Sequence, residues 1–458
     1  MIDRARRKMS LGLSIANLGY HYAAWRHPDV PADGNMDFRH FVHCAKLAEH
    51  GKFDLIFLAD SSAVRDLDNP AIARDMEHQL VKHEPMALLA AMSTVTSRVG
   101  LVPTASTTYN DPYNLTRTLA TLDILSEGRA GWNMVTSFSI DEARNFGLCD
   151  TLDSTSRHAR AAEFAEVMLA LFDSWEADAV PRDKPSGIYY DRRKMHVLDH
   201  VGTHFKVRGP LDVPRPPQGH IPIFTAGGSD QAQELAARIA DGLYAGQPDI
   251  ERARAYYASV KARLAKYGRS PEDLRIMPGI MPFVGRTLQE AQDKFDMMQS
   301  LVDPRLGLGL LVVNSFPDYT GYDIEGPVPD LPLPGGRNSE FTTVMMQRAR
   351  AENWTIRQLY ELVSGGFWHL GVVGTPAMIA DMMEEWFTTG AADGFNIQPP
   401  CIPVSAEDFV ELVTPELQRR GLFRIEYETA TLREHLGLQP ATNRHVVQRL
   451  AAAVGETP

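Results

Sequence analysis

The stretch VGLVPTASTTYNDPYNLTRTLATLDILSEGRAGWNMVTS, Val99 to Ser137, decides the fold. It holds an apolar run from Val99 to Ser106, a helical period from Pro112 to Glu127 closed by Gly128, and a second apolar run from Arg129 to Ser137. A strand, a helix and a strand in that order form the unit that joins parallel strands. The alternation continues in both directions. Further strands are expected at Ser10–Asn17, Phe53–Ala59, Ile221–Gly228, Gly242–Gly246, Ile276–Gly285 and Gly394–Gln398, which makes eight in all. Helices are expected at Asp37–His50, Glu84–Thr96, Arg157–Trp175, Ser229–Asp241, Ile250–Lys266, Leu288–Val302, Thr355–Ser364 and Pro376–Thr389. In the helix Arg157–Trp175, Phe164, Val167, Met168, Leu171 and Phe172 recur at three and four, the spacing of one face laid on a sheet.

Eight parallel strands, each followed by a helix, close most economically into an α/β (β/α)8 TIM barrel, with an open doubly wound sheet as the alternative. The chain has 458 residues, whereas such a barrel needs about 250. The surplus falls where the rhythm breaks. The expected organisation is one barrel over residues 1–440 with insertions at about 177–219 and 304–337, and a C-terminal tail at 441–458. Loops of that length are often functional, and in a barrel they are placed to cover the C-terminal mouth.

A formal charge of −12, with no basic block after residue 8, excludes the footprint of a nucleic-acid binder. No apolar run approaches the length of a membrane span, so no membrane role is expected. The start, Arg4 to Leu18, has a charged and then an apolar part, but Ser10, Ser14 and Asn17 dilute it and no small-residue cleavage site follows. Cys44, Cys149 and Cys401 are too scattered for a disulfide framework, and the expected compartment is the cytoplasm. His196, His200 and His204 fall four apart without an accompanying H-E-x-x-H pattern, and no metal is assigned. No G-x-S-x-G elbow, dinucleotide fingerprint or Walker motif is present.

The chemistry therefore rests on the strand ends: Asp60-Ser61-Ser62, Ser106-Thr107-Thr108-Tyr109, Thr136-Ser137-Phe138 and Gly227-Gly228-Ser229-Asp230. Each also reads as a helix cap. In Ile221 to Asp230 a buried strand meets two glycines and a helix start, where free N–H groups and the helix dipole favour an anion, so Gly228 and Ser229 form an expected phosphate seat. Tyr20, Tyr22, Trp25, Tyr109, Trp132 and Phe138 would suit a large planar ligand, or serve as core.

The segments GYHYAAWRHP (Gly19–Pro28), GKFDLIFLAD (Gly51–Asp60), TASTTYNDPY (Thr104–Tyr113), TLDILSEGRAGWNMVTS (Thr121–Ser137), GTPAMIADMMEEW (Gly374–Trp386), ADGFNI (Ala392–Ile397) and PELQRRGLFR (Pro415–Arg424) carry a resemblance over nearly the whole chain. Together they resemble the bacterial-luciferase-like flavin monooxygenases, in the branch of the nitrilotriacetate, EDTA, dibenzothiophene-sulfone and long-chain-alkane monooxygenases. The resemblance implies a barrel that takes reduced FMN from a separate NAD(P)H-dependent flavin reductase. It implies reaction with O2 to a flavin C4a-(hydro)peroxide that oxidises a small organic substrate, in a homodimer or homotetramer. Carried over by position, Asp60 and Ser106 would contact the flavin, Asn133 and Ser137 would orient its ring, and Gly228 and Ser229 would hold its phosphate. Where the family opens the helix after the fourth strand with His and Tyr, this chain has Ser154 and His158, which would take the phosphate in their place. The alkane-oxidising relative has a histidine where Phe138 stands, so alkane hydroxylation in that manner is not expected. Catalysis is assigned to Asn133 and to His21 as a donor, with Tyr20 or Tyr22 and a purely structural His21 as competing readings. The alternatives for function are a lyase degrading the flavin itself and a non-catalytic flavin-binding barrel.

Overall fold

The computed structural model describes residues 7–64, 69, 73–334, 339–366 and 369–454. Arg4 and Arg6 of the basic start, the end of the 304–337 insertion and the end of the 441–458 tail lie outside the described residues. The strands, in chain order, are β1 Ser10–Ser14, β2 Leu55–Leu58, β3 Gly100–Ser106, β4 Trp132–Val135, β5 His200–Val201, β6 Lys206–Val207, β7 Ile223–Ala226, β8 Gly242–Ala245, β9 Arg275–Val284, β10 Leu370–Gly374 and β11 Gly394–Ile397.

Eight of them pair in parallel in the order β1, β2, β3, β4, β7, β8, β9, β11, and β11 returns to β1 through Ser10 opposite Gly394. The ring is closed and the fold is a (β/α)8 barrel; the open sheet is excluded because none of the eight has a free edge. All eight expected strands are present, most of them trimmed at their ends. In β1 the trimming has a visible cause: Asn17 turns to a φ of 52° and ends the extended run. The quoted unit folds as read. Asp111 caps the helix Pro112–Leu125 by accepting from the Tyr113 and Asn114 N–H groups, and Gly128, at a φ of 91°, turns the chain into β4.

The structure departs from the expectations in the long insertions. Residues Pro304–Val313 are a helix, with Asp303 as its cap and Pro304 in its first turn, where proline needs no N–H donor. Its Gly307 is required by packing, since a Cβ there would stand 2.5 Å from the Tyr360 ring. A further helix, Ser339–Ala351, and the strand β10, which extends the sheet from the second half of β9, had no counterpart in the sequence reading. The segment 177–219 carries the hairpin β5–β6 and attaches to the outer flank of the barrel. There Glu163, on the helix Ser154–Phe172, accepts from the backbone N–H groups of His204 and Phe205.

The C-terminal stretch includes a helix, Arg444–Val454. It is tied down by two buried carboxylates at the end of the helix Ser154–Phe172. Asp173 accepts from Arg215 at 2.6 Å, His220 at 2.9 Å and Arg444 at 3.0 Å, and Glu176 accepts from Arg449 at 2.7 Å and His196 at 3.1 Å. Burial opposes the charge on Asp173, but these donors outweigh it and hold the carboxyl well below the usual carboxylate range.

Asp173→Asn is expected to cost about 3 kcal/mol, because three donors lose their charged acceptor in a buried setting, and urea unfolding measures it. The depressed pKa fixes the sign with pH. The contribution is whole above the unfolded carboxylate value of about 4 and is lost as pH falls below it. Residues 444–454 are therefore expected to lose hydrogen-exchange protection, relative to the intrinsic rate at each pH, in acid in the native chain and at neutral pH in the variant.

Candidate active site

Of the expected site residues, Asp60, Ser106, Ser137 and Gly228 lie at or just beyond the C-terminal ends of β2, β3, β4 and β7. Asp60, Ser106 and Ser137, after β2, β3 and β4, line one cavity of about 330 Å³ together with Tyr109 and Glu142. A wider cavity of about 620 Å³ opens beside it, between Asp60, Tyr20, Tyr22, Lys82, Phe138 and Asn314. Lys82 pairs with Asp60 at 2.7 Å and reaches the Ser61 hydroxyl at 3.4 Å, so the two cavities share a neutralised edge.

Ser137 holds a φ of 33°, an unusual conformation for a residue with a side chain, and its hydroxyl donates to Glu142 at 3.2 Å. The same carboxylate accepts the Ser62 N–H at 3.1 Å. Glu142 thus clamps the loop after β2 to the loop after β4, and it is buried on the short helix Ile140–Asn145. Sequence reading missed it; the only signal was Ser139, which caps that helix. Tyr109 and Phe146 stack in parallel, with ring centroids 4.4 Å apart, on the rim of the smaller cavity.

Asn133 is buried on β4. Its amide donates to the Thr104 hydroxyl at 2.9 Å, and its Oδ1 has no hydrogen-bond partner among the described residues. The Thr225 hydroxyl, on β7, is likewise buried and unpartnered. Next to β7 two helices begin side by side. Ser229 caps Asp230–Ile239 by accepting the Ala232 N–H at 3.2 Å, and Ser154 opens the helix that Asp153 caps. The Ser154 hydroxyl donates to Gln231 at 2.7 Å and Gln231 donates to the Thr155 hydroxyl at 3.2 Å, so the two N-termini are bound to each other. His158 donates from Nδ1 to the Ser154 carbonyl at 2.7 Å, which leaves Nε2 for another partner. A Cβ at Gly228 would meet nothing within 4 Å. Two convergent helix N-termini beside open backbone suit an anion, and the unsatisfied Asn133 and Thr225 atoms suit a polar ring system. The residues present fit FMN. Arg157, next to His158, has a buried Nε without a partner among the described residues, and its terminal nitrogen donates to the Leu152 carbonyl at 2.7 Å.

His21 lies elsewhere. Its ring is wholly buried, Nδ1 accepts the Ala23 N–H at 3.2 Å, and Nε2 faces the Gln299 carbonyl oxygen at 3.4 Å. Burial pushes its pKa down to about 4, and both nitrogens are engaged within the protein. The donor role assigned to His21 from the sequence has no free nitrogen to act through. Its neighbours Tyr20 and Tyr22 line the wide cavity instead. Tyr20 shares a hydrogen bond with Ser14, and burial pushes its phenol up to about 12, so it stays protonated. The histidines at 196, 200 and 204 serve structure: His196 pairs with Glu176 and His200 with Glu163, and no group of three metal-ligating side chains occurs among the described residues.

With the barrel and its mouth defined, the comparisons with known proteins give the class. The Luciferase-like monooxygenase family model matches residues 19–393, and the chain belongs to that family. It is 46% identical over 449 residues to nitrilotriacetate monooxygenase component A of Aminobacter aminovorans, covering 96% of this chain and 98% of the relative. It is 44% identical to N-acetyl-S-(2-succino)cysteine monooxygenase of Bacillus subtilis (strain 168), covering 96% and 99%. The crystal structure of DmoA from Hyphomicrobium sulfonivorans superposes with a TM-score of 0.85 at 30% identity, covering 98% of this chain and 97% of that one. The protein is a flavin-dependent monooxygenase of this family.

Two substitutions separate clamp from scaffold. Glu142→Gln, which weakens two hydrogen bonds to a charged acceptor, is expected to cost about 2 kcal/mol and to raise hydrogen exchange at residues 61–64. His21→Asn is expected to cost about 1 kcal/mol of stability while leaving FMN affinity unchanged, measured by unfolding and by flavin fluorescence titration.

Proposed function

We propose that this chain is the oxygenase component of a two-component system, taking reduced FMN from a separate NAD(P)H-dependent flavin reductase and using O2 to oxidise a small organic substrate. The reading is carried by the pair of joined helix N-termini at Ser154 and Ser229, with the unpartnered Asn133 Oδ1 on β4, in a barrel of this family. The relative named as a component A supports a partner component.

Reduced FMN, when bound, supplies the electrons that activate O2. The protein's residues bind and orient. Gly228, Ser229, Ser154 and His158 receive the phosphate, with Arg157 as a further donor. Asn133, Ser137, Asp60 and Ser106 fix the ring. Tyr20, Tyr22 and Phe138 face the wide cavity, where the substrate sits, and their rings keep bulk water from the reacting centre. The neutral Tyr20 phenol is placed to hold or give a proton there. Three unpaired cysteines suit work in the cytoplasm. No helix among the described residues is long and apolar enough to cross a membrane. Assembly as a homodimer or homotetramer is proposed on family resemblance.

The test is to supply reduced FMN with a flavin reductase and O2, and to follow oxygen uptake and flavin mass together. Substrate-dependent uptake with intact FMN is the expected result. Degraded FMN would instead establish a flavin-cleaving lyase, and binding without uptake a non-catalytic barrel. Ser229→Ala is expected to weaken FMN binding about tenfold, since it removes a phosphate donor and a cap worth about 1 kcal/mol.

A further inference from the structure

The ends of β8, β9 and β11, together with the Gly227-Gly228 turn after β7, enclose a further cavity of about 170 Å³. Tyr244, Asn396 and Gln398 line it, each less than a tenth exposed, and His369 completes the wall. The Tyr244 hydroxyl, His369 Nδ1, Asn396 Oδ1 and Gln398 Oε1 are all buried and have no hydrogen-bond partner among the described residues. Four residues with such atoms around one small cavity call for a ligand, because buried polar groups are otherwise satisfied.

The backbone is shaped to admit these side chains. A Cβ on Gly279 of β9 would stand 2.5 Å from His369 Nδ1 and 2.9 Å from Gln398 Nε2, so only glycine leaves them room. Gly228 lines the same cavity, which places it beside the phosphate seat. The His369 ring lies edge-on to Tyr20, with centroids 6.0 Å apart, and Tyr20 lines the wide cavity. The small cavity is therefore a side chamber of the mouth.

Its chemistry defines its occupant. No Lys, Arg, Asp or Glu is among its lining residues, so an ionised group would enter without a counter-charge. Desolvation pushes His369 down to about 4, so at neutral pH the chamber itself is uncharged. A purely apolar group would leave the four polar atoms unmatched. Two carboxamides, each a donor and an acceptor in one plane, are complementary to a group that carries both functions in one plane.

We propose that this chamber is a substrate subsite for an uncharged amide, an N-acyl or carboxamide function carried by the molecule that the enzyme oxidises. The assignment rests on the reading of the barrel mouth as the catalytic site. The probe is N-methylacetamide, titrated into the full-length, flavin-free protein by saturation-transfer NMR, with acetate and methyl acetate as comparators and a crystal soak to locate it.

The expected result is binding of N-methylacetamide about tenfold tighter than acetate, with the amide inside the chamber. Tyr244→Phe and Gln398→Leu should each weaken it about fivefold, the loss of one hydrogen bond, while FMN affinity stays the same. Tyr244→Phe removes a single oxygen atom and guards against a variant that fails to fold. Equal binding of amide and acetate, indifference to both substitutions, or a chamber that holds only water in the soaked crystal would each overturn the proposal. Failure of the flavin reading would show separately, as absent FMN binding or absent oxygen uptake, with the amide titration unaffected.

Discussion

The constraint on which the rest depends is the closing of the barrel floor by aspartates that are buried or nearly so. Asp54, just before β2, accepts the Leu11 N–H of β1 at 2.7 Å; Asp241, just before β8, accepts the Ile223 N–H of β7 at 2.9 Å; Asp393, just before β11, accepts the Ile276 N–H of β9 at 2.9 Å. Asp123, on the helix before β4, takes the Ala130 N–H at 3.1 Å and the Gln218 amide. Each pins the start of one strand to its neighbourhood at the N-terminal end of the barrel. Their charges are met in turn: Asp54 by Arg424, Asp241 by Arg433, and Asp393 by Arg7 and Lys261. Such partners offset the cost of burying the Asp54 and Asp393 carboxylates, and with the neutral donors around Asp123 they fix the strand register from below.

With the floor satisfied, the polar shortfall is concentrated at the opposite end. Thr225, Tyr244, Asn396 and Gln398, at or just past the C-terminal ends of their strands, and Asn133 within β4 all carry unmatched buried atoms. Leaving a polar atom unmatched costs roughly 1–3 kcal/mol, which a barrel can carry only when the rest of its structure is secure. That asymmetry, stability below and unmet hydrogen bonds above, is what makes one end of the barrel a binding surface.

Much of this was legible in the sequence, for physical reasons that differ between elements. Strands such as Ile221–Gly228 announce themselves because a parallel strand is buried on both faces and reads as a continuous apolar run. The cap at Ser229 was legible because a serine after two glycines at a strand end commonly opens a helix. The helix Pro304–Val313 was not, because Pro304, Gly307 and Gly309 look like loop residues until the capping by Asp303 and the Tyr360 ring over Gly307 are known. Strand β10, a five-residue run with a glycine inside it and another at its end, falls below any pattern threshold. His21 misled for a different reason. A histidine between two tyrosines after β1 has the right chemistry, but a turn of the backbone decides which of three adjacent side chains faces the cavity, and here the two tyrosines do.

The segment from 302 to 363 explains how such a mouth can be adapted. Its helices enclose a hydrophobic cluster of their own, with Leu306, Leu310, Phe316, Tyr319, Tyr360 and Val363 buried together apart from the barrel core. From that unit Val313, Asn314 and Ser315 project into the wall of the wide cavity. Because the wall is supported by its own packed core, side chains at 313–315 can change without disturbing the strand register that the floor aspartates set. The small cavity has no such independence. Tyr244, Asn396 and Gln398 sit on barrel strands, where Gly279 and the neighbouring strand leave no spare volume. The wide cavity thus has a rim built on its own packed core, whereas the small cavity is set in the barrel, where unmatched polar atoms of Tyr244, Asn396 and Gln398 lie.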